Sequence, residues 1–64
     1  MGKIACVVEK RPDDYMIYVK GRKGCWEADK KLGVAIHLMA GRLKTAPENL
    51  EIQLTVNMWL LNHS

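Results

Sequence analysis

The stretch Leu50-Glu51-Ile52-Gln53-Leu54-Thr55-Val56-Asn57-Met58 alternates apolar and polar side chains with a period of two. Side chains of a β-strand point to opposite faces in turn, so this pattern describes a strand with one face on a core and the other in water. A strand half-buried in this way needs other strands beside it and something to cover its apolar face. Working back along the chain identifies both.

Ile4 to Val8 is an apolar run rich in β-branched residues, and Tyr15 to Lys20 (Tyr-Met-Ile-Tyr-Val-Lys) is another. Between them, Arg11-Pro12-Asp13-Asp14 reads as a turn, with Pro12 pre-setting φ and the aspartates favouring the turn over a continued strand. A second turn, Gly21-Arg22-Lys23-Gly24, has two glycines free to take positive φ and leads into a short third strand from Cys25 to Ala28. Asp29 is placed to cap a helix N-terminus with its carboxylate. In the helix that follows, Leu32, Ala35, Ile36, Met39 and Leu43 recur at helical spacing and form the face that covers the sheet. Val34 and Leu38 fall on the opposite side. Thr45-Ala46-Pro47 ends the helix, because the residue before proline avoids the helical region.

The spacing therefore predicts an α+β domain of βββαβ order, with one helix packed on one face of a small, mostly antiparallel four-stranded sheet. The expected bounds are strands over 3–10, 15–20, 25–28 and 49–58 and a helix over 30–44, in a single domain spanning 1–64. The expected strand order is 3-2-1-4, with the last strand beside the first. Phenylalanine is absent, so Trp26, Trp59, Tyr15, Tyr18 and the aliphatics are expected to supply the large apolar volume.

The chain has 64 residues, 48% of them hydrophobic and 27% charged, a composition that excludes disorder. Domains this short commonly need a disulfide, a metal or a partner chain for support. Two cysteines, Cys6 and Cys25, are too few for a secreted disulfide framework. In the expected order they lie two strands apart, about 9–10 Å, beyond the reach of a disulfide. They read as small buried hydrophobes. No signal peptide and no membrane-length apolar run is read, so the expected location is cytoplasmic with reduced thiols.

Candidate chemistry is sparse. His37 and His63 are the only histidines, and neither has an acid placed in sequence to orient it for acid–base work. No Cys or His spacing suits zinc, and no cofactor or metal is expected. Gly21-Arg22-Lys23-Gly24 is too short for a phosphate-binding loop of the Walker kind and reads as a tight turn. Glu9, Asp13, Asp14 and Asp29 are accounted for by turns, caps and strand ends, so an enzyme is not expected.

Two features read instead as partner surfaces: the outward pair Val34 and Leu38, and the apolar run Met58-Trp59-Leu60-Leu61. Contiguous exposed apolar groups usually mark an interface. A homodimer is the first expectation, built either from the last strand and its tail or from the outer helix face. The formal net charge is +3 and the pI about 9.1, with Lys20, Arg22, Lys23, Lys30 and Lys31 grouped in sequence around the acids Glu27 and Asp29. That group admits an alternative reading, a small nucleic-acid-binding domain with the cations on phosphates and Trp26 stacked on a base.

Val8-Glu9-Lys10, Asp13-Asp14-Tyr15-Met16-Ile17, Gly24-Cys25, Ala28-Asp29 and Leu32-Gly33-Val34-Ala35-Ile36, taken in this order, resemble the HicB-like antitoxin family. The resemblance covers roughly Ile4 to Leu43. The chain departs from the family pattern at Lys23, where proline is common, at Ala28, where glycine is usual, at Lys30, in place of a capping hydroxyl residue, and at Val34, in place of an acid. The resemblance implies a partial ribonuclease H-like module without catalytic carboxylates, which masks a partner protein such as a small ribonuclease toxin. Gly24, Cys25 and Asp29 carry over with structural roles. The helix's outer face and the loop beside it are where the resemblance would put partner contact.

Overall fold

The computed structural model describes residues 2–55. The expected candidates Met58, Trp59 and Leu60, the end of the last expected strand and His63 lie outside the described residues. The elements run β1 (Ile4–Lys10), β2 (Tyr15–Val19), β3 (Trp26–Asp29), α1 (Leu32–Arg42), a 3-10 turn (Pro47–Asn49) and β4 (Leu50–Thr55). The sheet order is β3-β2-β1-β4. β1 pairs antiparallel with β2, and β2 antiparallel with β3. β4 lies parallel to β1, with Cys6 opposite Ile52 and Val8 opposite Leu54. The expected α+β architecture and strand order are the observed ones. A parallel β4 needs a crossover from the far edge of the sheet, and α1 supplies it.

Helix α1 packs across β2 and β3 and covers one face of the sheet. The core beneath it comprises Cys6, Val8, Ile17, Val19, Ala35, Met39, Ala40 and Leu50, with Leu32, Ile36 and Leu43 half-buried against it. Ala35 and Met39 are fully enclosed and sit on the face that the helical periodicity selects. Val34 and Leu38 are 41% and 43% exposed on the other side.

The aromatics do not fill this core as expected. Trp26 is 52% exposed, and of the aromatics among the described residues only Tyr15 packs against the buried cluster. The cross-strand register explains it. Ile17, which faces the helix, pairs with Glu27, so Glu27 shares the covered face and Trp26 falls on the uncovered one. The buried volume is made instead from branched aliphatics, a thiol and Met39, whose flexible chain fills irregular gaps. A second correction concerns Leu54. Its alternation predicts burial, but it is 60% exposed. Leu50 at the start of β4 is buried and Ile52 half-buried, whereas α1 lies over the opposite half of the sheet and does not reach Leu54.

Both ends of α1 differ from expectation. The helix begins at Leu32, not Lys30, and its N-cap residue is Lys31, which makes no side-chain cap. Asp29 is the last residue of β3, and its carboxylate accepts a hydrogen bond from the Lys31 amide at 2.8 Å. Asp29 thus shapes the strand-to-helix turn two residues ahead of it, as short acidic side chains do, without capping the helix. At the other end the Lys44 amide donates to the Gly41 carbonyl at 3.2 Å and the Thr45 amide to the Ala40 carbonyl at 2.9 Å. This is the Schellman pattern, and it ends the helix at Arg42, five residues before Pro47. It requires a left-handed residue, which here is Lys44 with φ of 55°. Lys44→Gly relieves the left-handed cost of a side chain but adds freedom to the unfolded chain. The net expected gain is about 0.5–1 kcal/mol, read as a raised midpoint in urea unfolding.

Candidate binding surfaces

The β2–β3 hairpin end is built around two glycines. Gly21 and Gly24 have φ of 83° and 82°. The Arg22 amide donates to the Val19 carbonyl at 3.1 Å, closing a turn that needs positive φ at Gly21. The Val19 amide donates to the Cys25 carbonyl at 3.1 Å and closes the hairpin. A Cβ added at Gly24 would meet nothing within 4 Å, so the cost of Gly24→Ala is backbone strain alone. That substitution is expected to destabilise by about 1–2 kcal/mol, measurable by thermal unfolding.

Arg42, in the last turn of α1, holds this end of the sheet from the covered side. Its guanidinium donates to the Gly24 carbonyl at 3.1 Å, to the Trp26 carbonyl at 3.4 Å and to the Glu27 carboxylate at 2.9 Å. The Glu27 hydrogen bond is the main reason the Arg42 guanidinium is raised above its usual range. At the other end of the sheet, Arg11 grips Asp14 through two contacts of 2.6 Å, and the Arg11 amide donates to the Asp14 carbonyl at 2.8 Å. This grip holds the Asp14 carboxyl below its ordinary value. Of the acids of the β1–β2 turn and β3, Asp14 is engaged with Arg11, Glu27 with Arg42 and Asp29 with the Lys31 amide, while Asp13 is exposed.

The expected basic group separates into two. Lys20, Arg22 and Lys23 stand at the β2–β3 hairpin, whereas Lys30 and Lys31 lie beyond the far end of β3 at the entry to α1. Four strand residues, or about 13 Å of extended chain, separate the two sets. Glu27 and Asp29, which dilute the group in sequence, share the helix-covered face through the register Ile17 to Glu27 and Tyr15 to Asp29.

Strand alternation puts Ala5, Val7, Glu9, Met16, Tyr18, Trp26 and Ala28 on the uncovered face, with Tyr18 directly opposite Trp26 and Met16 between Ala28 and Glu9, while Glu51, Gln53 and Thr55 of β4 share that face beside β1. An open groove of about 410 Å³ runs along the hairpin end of that face, with Met16, Tyr18, Arg22, Lys23 and Trp26 in its lining. The lining contains two cations and no acid. Reading the elements one at a time misses this groove. Its signal in the sequence is the shared phase of Met16 and Tyr18, out of step with Ile17, together with Trp26 out of step with Glu27.

Cys6 and Cys25 are both free thiols. Cys6 is enclosed in the core, and burial, with a smaller contribution from Cys25, pushes its thiol above the ordinary value. It stays protonated near neutral pH and is a poor nucleophile. Among the described residues no three His, Cys, Asp or Glu side chains gather where they could hold a metal ion. Among the same residues no helix is long and apolar enough to cross a membrane. His37 is exposed on α1. Comparison with family models, with curated proteins and with solved structures found no match to this chain.

Proposed function

We propose that this chain is a non-catalytic protein-interaction module of the HicB-like kind, dimeric, which masks a partner protein such as a small ribonuclease toxin. One observation carries the reading. Val34 and Leu38, one helical turn apart, stand 41% and 43% exposed on the outside of α1, on a side the core does not use. Apolar side chains four residues apart on a helix form one continuous ridge, the usual form in which a helix meets an apolar groove. Two further points support it. The sheet order with a parallel last strand suits the partial ribonuclease H-like module that the resemblance implies. Gly24 and Asp29, which carry part of that resemblance, have structural roles here, at a positive-φ turn and at the strand-to-helix turn.

The partner in this reading is a small ribonuclease encoded beside this chain. Co-expression of the two is expected to give a stable complex in which the ribonuclease is silent, and Leu38→Asp is expected to restore its activity. An adjacent product that neither binds the chain nor cleaves RNA would contradict the masking role.

A further inference from the structure

We infer that the uncovered face of the sheet is a binding site for single-stranded RNA, centred on Trp26 and Tyr18 and bounded by Arg22 and Lys23. This site lies on the side of the sheet opposite α1, so it is separate from the helix ridge and does not depend on the masking role.

The geometry brings together the two features that an unpaired polynucleotide needs. The first is a stacking platform. Tyr18 and Trp26 are directly opposed across adjacent antiparallel strands, with Met16 beside them, and Trp26 keeps 52% of its surface in solvent. Opposed residues in such a pair stand about 4.5–5.5 Å apart, so the two rings form one continuous apolar surface. Every base has a π-face, and aromatic residues on an open sheet bind bases whatever the sequence. The second feature is a source of positive charge at the right place. Arg22 and Lys23 line the same groove, and exposed Lys20 follows Tyr18 by two residues.

The charge balance of the groove selects a phosphodiester chain over an apolar or cationic occupant. The groove lining has no acid, and Glu27 is turned to the other face and engaged by Arg42; the acids on this face, Glu9 opposite Met16 and Glu51 opposite Ala5, stand outside that lining. A duplex hides its base faces and cannot use the platform. Tyr18 lines the groove, and a hydrogen bond between its hydroxyl and a 2′-hydroxyl is the contact that would favour RNA over DNA. The positive-φ turns at Gly21 and Gly24, with Arg42 bonded to the Gly24 and Trp26 carbonyls from behind, hold loop and platform together before any ligand arrives.

The test is fluorescence anisotropy with a labelled oligouridine of about 12 nucleotides, a length within the site sizes of stacking surfaces. The intact chain is expected to bind it, more tightly than the matching oligothymidine, and to bind duplex DNA weakly. Trp26→Ala is expected to weaken binding roughly 5- to 150-fold, the range for loss of one stacked base. Trp26→Phe is expected to keep most of it. Because Trp26 is half exposed, the alanine variant is expected to retain the circular dichroism spectrum and unfolding midpoint of the parent, and both are measured alongside. With three phosphate contacts the logarithm of affinity falls against that of salt with a slope of about −2, and Arg22→Ala with Lys23→Ala flattens it to about −0.7. No binding at low salt, equal binding by Trp26→Ala, or duplex bound as tightly as oligouridine overturns the site. Oligothymidine bound at least as tightly as oligouridine overturns the assignment to RNA. A change of solution mass caused by Trp26→Ala shows a second copy on this face and overturns it as well.

Discussion

Ile17→Ala is expected to remove most of the stability of this protein. Ile17 is fully buried in β2, an interior strand, where it pairs with Val8 on one side and Glu27 on the other and faces α1. Truncating a buried isoleucine to alanine costs about 2–5 kcal/mol, from the lost transfer of apolar surface and from the cavity left behind. For a chain of 64 residues, the usual stability per residue gives a total of roughly 3–10 kcal/mol. One substitution therefore consumes a large share of the total, because the core has just eight buried residues among the described residues and little redundancy. Urea unfolding followed by circular dichroism is expected to show a midpoint near zero denaturant for Ile17→Ala. Ile17→Val, which removes one methylene, is expected to cost only about 0.5–1.5 kcal/mol. Equal, small effects from the two would mean that β2 does not pack under α1 as described.

The second large effect is on association. Val34→Asp with Leu38→Asp puts two carboxylates on the outer ridge of α1, away from the core, with position 38 one turn before Arg42. In a dimer formed across this ridge, two-fold symmetry brings the four introduced carboxylates close together, since a two-fold interface uses the same patch twice. Like charges juxtaposed across an interface cost several kcal/mol, which corresponds to a dissociation constant weakened on the order of 100-fold or more. The unfolding midpoint extrapolated to the monomer is expected to move little, because both positions are already wet in the single chain. Should the double variant remain dimeric while Leu54→Lys becomes monomeric, the interface lies at β4, where Leu54 is 60% exposed.

The elements of this fold were legible because each has a simple period. The alternation of Leu50, Ile52 and Leu54 identifies a strand, and the spacing of Leu32, Ala35, Ile36 and Met39 identifies the covering face of a helix. Short connections order the first three strands as β3-β2-β1, and of the two free edges the last strand takes the one beside β1. What the sequence conceals is relational. Trp26 looks like core material by size alone, and only its pairing with Tyr18 puts it on the open face. Leu54 has the right phase for burial, but burial depends on where α1 crosses, and the helix lies over β2 and β3. Asp29 has the chemistry of a cap, yet the strand lies one residue further along than its turn signals suggest, so its carboxylate serves the strand-to-helix turn that follows. The lysines near β3 are neighbours in sequence and lie at opposite ends of a strand in space.

The same relational step decides the candidate surfaces. Val34 and Leu38 are legible as outward-facing from helical spacing, since a helix has a fixed geometry along its own axis. The groove beside Trp26 is assembled from two strands and a loop, so its aromatic pair and its cations come together only once the register is known.

The most direct test of the interaction-module account is the solution mass of the unmodified chain, by light scattering over a concentration series at moderate salt, with the Val34→Asp, Leu38→Asp double variant run beside it. The account predicts a stable dimer for the chain and a folded monomer for the variant. A chain that remains monomeric throughout, or a variant that dimerises as well as its parent, would contradict the assignment of the outer helix ridge as the interaction surface.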